Sequence, residues 1–435
     1  MKKFDGREGM KRFILAFCLI GILLLAVPAS GAALPQGELT SDAYVVMDAQ
    51  SGQVLAARNP DKREYPASIT KVLTVALGLE GHDPDERITL TDEAVFSVDR
   101  DSTHIALTPG EEVSLNDMTH AAMLASANDA ANAVAENAGG TLEEFIRMMN
   151  GKAKELGAQN TNFVNANGLY DPQHYTTAYD MALLTRWALT VPGFREVFGS
   201  IEYKMGPTNK QPEERNFGTY HHMIVESAYY YEGADGGKLG WTPESHHTIV
   251  TVAHRGGLEL ICVALNTKTQ WEKYKDSTKL FDYCFENFEP ISFAAAELPL
   301  PELPLYSGEE QAGTLVPDLA GEVRLAVPKG TAKESLLLQC DAPERAADGE
   351  DPGVRVTFSL PGADEPLYTL PVQYRPVLSA AQSAPQEEKE PAGLKIHWIP
   401  TLAVLLLILL LVLRRVQVLR RRRRRRRLRE QRLGR

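Results

Sequence analysis

Two groups of strand-forming residues lie far apart in this chain, and helical sequence fills the space between them. Near the start, Ala43-Tyr44-Val45-Val46-Met47-Asp48 reads as a strand, Ala49-Gln50-Ser51-Gly52 as a turn and Gln53-Val54-Leu55-Ala56 as a second strand. Much later, Thr248 to Ala253 and Leu258 to Leu265 read as two more strands joined by the turn His254-Arg255-Gly256-Gly257. Between them, helical apolar spacing covers Val72 to Leu77, Leu115 to Ala138, Leu142 to Leu156 and Thr177 to Thr190, and Tyr274 to Phe288 closes the region as a further helix. Strands at both ends with helices between predict a mixed α/β chain of the α+β kind, an antiparallel sheet covered by helices over residues 38–290. From Leu298 the pattern changes. Pro299, Pro301 and Pro304 read as a linker, and Glu322 to Val327, Ser335 to Gln339, Val354 to Ser359 and Leu367 to Val372 predict a small β-rich domain over 298–375. Residues 376–395 read as a polar, Pro-containing stalk.

The ends of the chain predict its placement. Lys2, Lys3, Arg7, Lys11 and Arg12 precede an apolar run from Phe13 to Val27, and small residues follow, so 1–33 read as a secretory signal peptide. The other reading, a first membrane anchor, needs a longer run. Residues 396–413 are apolar apart from His397 and suffice for one transmembrane helix. Residues 414–435 hold 13 arginines and one acid, a local charge of +12; taking that from the −11 of the whole chain leaves −23 before it. Basic residues flank the cytoplasmic side of a span, so the tail is expected inside and the acidic body outside the membrane. The tail's position directly after a span favours anionic headgroups over nucleic acid, and the acidic body excludes the basic surface of a nucleic-acid binder. Of the four cysteines, Cys18 falls in the signal, and no Cys-x-x-Cys pair suggests a zinc or dithiol site. Cys262 and Cys284 read as buried packing residues.

Three short motifs carry chemistry. Ser68-Ile69-Thr70-Lys71 precedes the apolar run and follows Pro66, which suits a helix start. Residues three apart share a helix face, so Ser68 and Lys71 are expected side by side. A serine hydroxyl becomes a nucleophile when a neighbour takes its proton, and burial or nearby positive charge lowers a lysine pKa enough for that role. Alone, the spacing is equally that of an ordinary helix start. Ser126-Ala127-Asn128 offers a proton relay and an amide contact, or a helix cap. Lys238-Leu239-Gly240 places a cation beside Lys71, or in a solvated turn. The ordered trio Ser-x-x-Lys, Ser-x-Asn, Lys-x-Gly is far more specific than any member.

With these motifs, and with Met47 to Leu55, Asn167-Gly168-Leu169 and Tyr175 to Met181, the stretch Ser41 to Phe288 resembles the penicillin-binding D-alanyl-D-alanine carboxypeptidases, low-molecular-mass serine peptidases of bacterial cell walls. The resemblance implies a β-lactamase/transpeptidase-like fold, with Ser68 as nucleophile, Lys71 as its base, Ser126 and Asn128 as the second motif and Lys238 as the third. It implies an oxyanion hole from the backbone N–H groups of Ser68 and Trp241. Ser68 would attack the penultimate D-alanine of a peptidoglycan stem peptide, and β-lactams would acylate the same serine. No metal or cofactor is implied, and His221-His222 and His246-His247 are read as structural. One departure stands out: Leu239 occupies the usual threonine position of Lys-Thr-Gly, where a hydroxyl helps hold the substrate carboxylate. A charge-assisted hydrogen bond contributes roughly 1.5–3 kcal/mol. Thr242 and Lys238 are expected to compensate, with Lys273 where relatives often carry an arginine. The alternative function is therefore a catalytically weak homologue that binds peptidoglycan or β-lactams.

Overall fold

The sheet forms from both ends of the region 43–267, as the strand pattern predicts. The computed structural model describes residues 38–319 and 321–378. Strand β1 (Ala43–Asp48) pairs antiparallel with β2 (Val54–Arg58) on one side and with Leu258–Thr267 on the other. The 3₁₀ turn Ala67–Thr70 leads into α1 (Lys71–Leu79). There follow β3 (Arg87–Thr89), α2 (Asp92–Phe96), β4 (Glu112–Ser114), α3 (Leu115–Leu124), α4 (Asn128–Gly139), α5 (Leu142–Glu155), α6 (Ala178–Ala188), α7 (Phe194–Gly199), β5 (Glu202–Met205) and β6 (Arg215–Gly218). Then β7 (Ala234–Thr242), β8 (His246–Arg255) and β9 (Leu258–Thr267) complete the sheet, and α8 (Glu272–Asn287) packs on it. The strand order is β2-β1-β9-β8-β7, so β7 is an edge.

Both faces of this sheet are covered, which explains why its strands read as apolar runs. Successive side chains on a strand point to opposite faces. Ala43, Val45 and Met47 of β1 join Val250, Val252, Ile261 and Val263 in a core shared with α1, α3, α4 and α6. Tyr44 and Val46 join Ile249, Leu260, Cys262 and Ala264 in a second core with Tyr274, Leu280, Phe281 and Cys284 of α8. Cys262 and Cys284 are free, buried thiols. The β8–β9 hairpin turns on Gly256 and Gly257, with φ of 60° and 84°; two successive positive φ values are what a two-residue hairpin turn of the favoured hand requires. Helix α3 starts with a reciprocal cap between Ser114 and Asp117.

Asp276 of α8 ties the chain's described start to this core. It is fully buried, and its Oδ2 accepts from Thr40 N at 2.9 Å, Ser41 N at 2.7 Å and Ser41 Oγ at 2.6 Å. Bonds to a buried carboxylate are the strong ones. Asp276→Ala is expected to cost about 3 kcal/mol, read as a lower denaturant midpoint at unchanged slope; an unchanged midpoint would show that the tether contributes nothing.

Several elements differ from the sequence reading. The helical spacing over Leu115 to Ala138 is two helices, broken at Ala125-Ser126-Ala127, with Ser126 at φ 57°. Lys238-Leu239-Gly240, for which the sequence also allowed a solvated turn, lies in strand β7. The Pro-marked linker contains a strand. After β10 (Phe288–Ala294) come β11 (Leu303–Ser307), β12 (Glu310–Pro317), β13 (Glu322–Pro328), β14 (Leu337–Asp341), β15 (Ala346–Ala347), β16 (Arg355–Ser359), β17 (Tyr368–Pro371) and β18 (Tyr374–Leu378). Pro304 sits within β11, and residues 376–378, expected in the stalk, end β18.

The described chain divides into two compact units. The first holds the described residues up to Pro301 with Pro317–Pro343 and Asp351–Tyr374, so the division runs through the β-rich region. In it β10 pairs with β13, and β14, β16 and β17 form a sheet. Buried Gln53 joins the β1–β2 turn to these strands, donating to Leu367 O and accepting from Ala326 N, both at 3.1 Å. The second unit holds, of the described residues, Glu302–Val316, Glu344–Glu350 and 375–378; its sheet has the order β15-β11-β12-β18. The expected signal peptide, the remainder of the stalk, the transmembrane helix and the Arg-rich tail lie outside the described residues. Among the described residues, no helix is long and apolar enough to cross a membrane.

Candidate active site

Ser68 sits in the 3₁₀ turn and Lys71 begins α1, so the i,i+3 pairing predicted from spacing is met in a tighter turn than an α-helix. Lys71 Nζ lies 3.0 Å from Ser68 Oγ. It also donates to Asn128 Oδ1 at 2.7 Å and to the Asn167 carbonyl at 2.5 Å. Lys71 is 0% exposed. Burial first, then the charge of Lys238, pushes its ammonium well below the ordinary lysine value, and Asp129 opposes this only in part. This is the environment a lysine base needs.

The backbone around Ser68 is unusual. Ala67 has φ 51°, a left-handed conformation that costs a residue with a Cβ. Two glycines from distant segments press on it. A Cβ on Gly168 would stand 2.0 Å from the Ala67 carbonyl oxygen and 3.0 Å from Ser68 N; one on Gly240 would stand 2.9 Å from both Ser68 N and the Pro66 carbonyl oxygen. Thr248 Oγ1 donates to that Pro66 carbonyl at 2.8 Å. The serine is thus held between β7–β8 and the loop after α5.

Ser126 and Asn128 reach the site because α3 and α4 are separate helices. The break turns Ser126 toward β7, where Lys238 Nζ donates to its Oγ at 2.9 Å and to the Leu239 carbonyl at 2.9 Å. Lys238 is 4% exposed, and burial followed by the Lys273 charge lowers its pKa to about 7. Lys273, on α8, is 5% exposed and is lowered by burial to about 8. Ser68, Ser126, Lys238, Leu239, Gly240, Trp241 and Lys273 line one cleft of about 220 Å³. Trp241 is 58% exposed on its rim.

Of the residues singled out from sequence, the lining of this cleft leaves out Lys71 and Asn128, which are buried and bonded to each other, and also Thr242. Thr242 Oγ1 accepts from Ser245 N at 3.0 Å and bonds Ser245 Oγ at 3.1 Å, which closes the β7–β8 turn instead. His221, read as structural, does line the cleft. It is buried with Nε2 3.0 Å from Thr251 Oγ1, and it fills the space that Gly237 leaves, since a Cβ there would be 2.3 Å from Nε2. The other contribution unforeseen from sequence is the Asn167 carbonyl. Its signal was present in Asn167-Gly168-Leu169, but a main-chain acceptor has no residue type to mark it.

Comparison with known proteins agrees with this arrangement. The sequence pattern of the S11 peptidase family, described as D-alanyl-D-alanine carboxypeptidase, matches residues 29–269. The chain is similar to the D-alanyl-D-alanine carboxypeptidase DacF of Bacillus subtilis strain 168, at 34% identity over 290 residues, 64% of this chain and 72% of that protein. It is similar to the D-alanyl-D-alanine carboxypeptidase DacC of Escherichia coli K12 at 31% identity, over 67% of this chain and 72% of that one. The crystal structure of penicillin binding protein 5 from Haemophilus influenzae superposes with a TM-score of 0.63 at 25% identity, covering 78% of this chain and 98% of that one. A match over more than half of the chain, with a serine and a buried lysine in contact in the cleft, places this protein in the D-alanyl-D-alanine carboxypeptidase family of serine peptidases.

Proposed function

We propose that this chain removes the terminal D-alanine from peptidoglycan stem peptides through an acyl-enzyme on Ser68, and that β-lactams acylate the same oxygen. The observation that carries the mechanism is the 3.0 Å contact of buried Lys71 with Ser68. Neutral Lys71 takes the Ser68 proton as Oγ bonds to the carbonyl carbon of the penultimate D-alanine. The carbonyl oxygen becomes an oxyanion beside the Ser68 and Trp241 N–H groups. The Leu239 carbonyl accepts from Lys238 Nζ, which puts its polar groups on the free edge of β7. The two-residue repeat of a strand puts the Trp241 N–H on that same edge. Collapse of the intermediate breaks the peptide bond. The leaving amine takes a proton from Ser126 Oγ, which Lys238 holds, and Ser126 regains one from the Lys71 ammonium, which is neutral again. Water, deprotonated by Lys71, then releases the acyl group and restores Ser68. Lys238 and Lys273 supply the positive charge for the substrate carboxylate; Asn128 holds Lys71 and is placed for the substrate amide.

The relatives carry the name carboxypeptidase and lend no support to the weak-binder alternative raised by Leu239. We retain 38–290 as the peptidase domain and 298–375 as a β-rich spacer. We retain 1–33 as a signal peptide, 376–395 as a linker, and 396–413 with the Arg-rich 414–435 as a single C-terminal anchor to the cell membrane. That puts the peptidase outside the cytoplasm, where peptidoglycan is. The test is D-alanine release from a peptide ending in D-Ala-D-Ala, with the full chain beside Ser68→Ala. Release is expected to fall at least about a thousandfold in the variant. A folded wild-type protein that releases none, or a variant that releases as much, would end this reading.

A further inference from the structure

Neutral lysine has two N–H bonds and one lone pair. Lys71 Nζ has three neighbours, and two of them, Asn128 Oδ1 and the Asn167 carbonyl, only accept. When both take an N–H, the lone pair is left for Ser68 Oγ. The direction of proton transfer therefore depends on what fixes those two acceptors. Asn128 is the first residue of α4. The Asn167 carbonyl belongs to a loop, and a loop carbonyl needs a support.

That support is Asn132, one turn after Asn128 on the same helix. Asn167 Nδ2 donates to Asn132 Oδ1 at 3.1 Å, and Asn167 Oδ1 accepts from Leu169 N at 2.9 Å. Asn132 Nδ2 in turn donates to Ser97 Oγ at 2.9 Å and reaches the Ala94 carbonyl at 3.5 Å. Backbone groups at the two ends pin both amides: the Leu169 N–H requires Asn167 Oδ1 facing it, and the Ala94 carbonyl requires Asn132 Nδ2 facing it. Both asparagines are buried, 3% and 4% exposed. In a low-dielectric interior a satisfied pair of this kind is rigid, and an unpaired amide is costly. Asn132 is not among the residues that line the cleft and belongs to none of the three motifs.

We infer that Asn132 is a positioning residue for the reaction: through Asn167 it fixes the carbonyl that, with Asn128 Oδ1, occupies both N–H bonds of neutral Lys71 and leaves the amine lone pair to Ser68. This rests on Lys71 being the base. Without the support, the loop carbonyl drifts, and an N–H of Lys71 turns to Ser68 Oγ, the wrong sense for taking a proton.

The test uses the full chain, D-alanine release from a D-Ala-D-Ala peptide, and acylation by benzylpenicillin, each across pH. Asn132→Leu, near in volume, is expected to lower kcat and the acylation rate at least about tenfold with KM within about twofold. The acid limb moves to lower pH, because the ammonium form loses an acceptor that favours it. Asn132→Asp keeps an oxygen facing Asn167 Nδ2 and is expected to recover most of the rate, with no downward displacement of the limb. Loss of rate with an unmoved limb, or no loss at all, overturns the inference. Should Asn132→Leu fail to fold, Asn167→Ala decides: it keeps the main-chain carbonyl but not the amide, and an unmoved limb overturns the inference. Wild-type protein that neither releases D-alanine nor is acylated sinks the functional reading instead; titration of Lys71 by NMR of ε-¹³C-lysine then still compares wild type with Asn132→Leu, and identical titrations overturn the positioning role.

Discussion

Lys71→Met is expected to slow acylation of Ser68 at least about a hundredfold, the scale of a lost general base, while leaving the protein folded. Methionine is similar in length and apolar, so it fits a site that is already fully buried. The pH dependence follows from the same burial. In the role proposed for it, Lys71 can take a proton only when neutral, and its pKa lies well below the ordinary value. Activity therefore rises as pH climbs through that lowered pKa and is lost below it. On the alkaline side, the two cations proposed to hold the substrate carboxylate discharge, Lys238 at about 7 and Lys273 at about 8. The value of kcat/KM is expected to start falling at about pH 7 and to fall further above about pH 8. Arginine keeps its charge far above that range, so Lys273→Arg should carry the falling limb upward. Initial rates of D-alanine release across pH read both limbs. A Lys71→Met protein with near-normal acylation would remove Lys71 from the mechanism, and an alkaline limb indifferent to Lys273→Arg would remove Lys273 from carboxylate binding.

Gly168→Ala is expected to be as damaging without touching a catalytic side chain. Two costs add there. The φ of 87° strains any residue with a Cβ, and the new methyl would stand 2.0 Å from the Ala67 carbonyl oxygen. The strain alone is roughly 1 kcal/mol. The clash has no cheap relief, because backbone rather than a flexible side chain must move, and that backbone carries Ser68. We expect a total loss of more than about 3 kcal/mol together with loss of penicillin acylation in whatever remains folded. Gly140→Ala separates the two costs: its φ is 75°, with nothing within 4 Å of the added Cβ. Thermal melts and acylation of the two variants give the comparison; equal effects would mean that the close approach to Ala67 is unimportant.

The pairing of Ser68 with Lys71 was legible because it is local: three positions on one turn bring two side chains together whatever the rest of the chain does. The sheet strands were legible for a related reason. Burial on both faces demands apolar residues at successive positions of β1, β8 and β9, and that demand shows in the sequence. The β7 strand was not, because Gly236, Gly237 and Gly240 carry no strand preference. They are needed for what approaches them: Phe198, His221 and the Ser68 backbone would meet a Cβ at 2.3, 2.3 and 2.9 Å. Thr242 was misplaced because its nearness in sequence to Lys238 says nothing about which polar atom its hydroxyl meets, and Ser245 is nearer.

What the sequence by itself determined is the local chemistry: a serine beside a lysine, a second and third polar motif in order, and an apolar pattern that closes one sheet from its two ends. Only the tertiary structure decided that a break at Ser126 splits one helical pattern in two, that Lys238 and Lys273 share one cleft while Lys71 is buried against Ser68, and that main-chain atoms of Ala67, Asn167 and Gly168 set the geometry of Ser68 and Lys71. The physical reason is that periodicity and spacing act through side-chain type over a few residues. Close backbone approach and the depressed charge of a buried lysine arise only when segments far apart in the chain exclude water together.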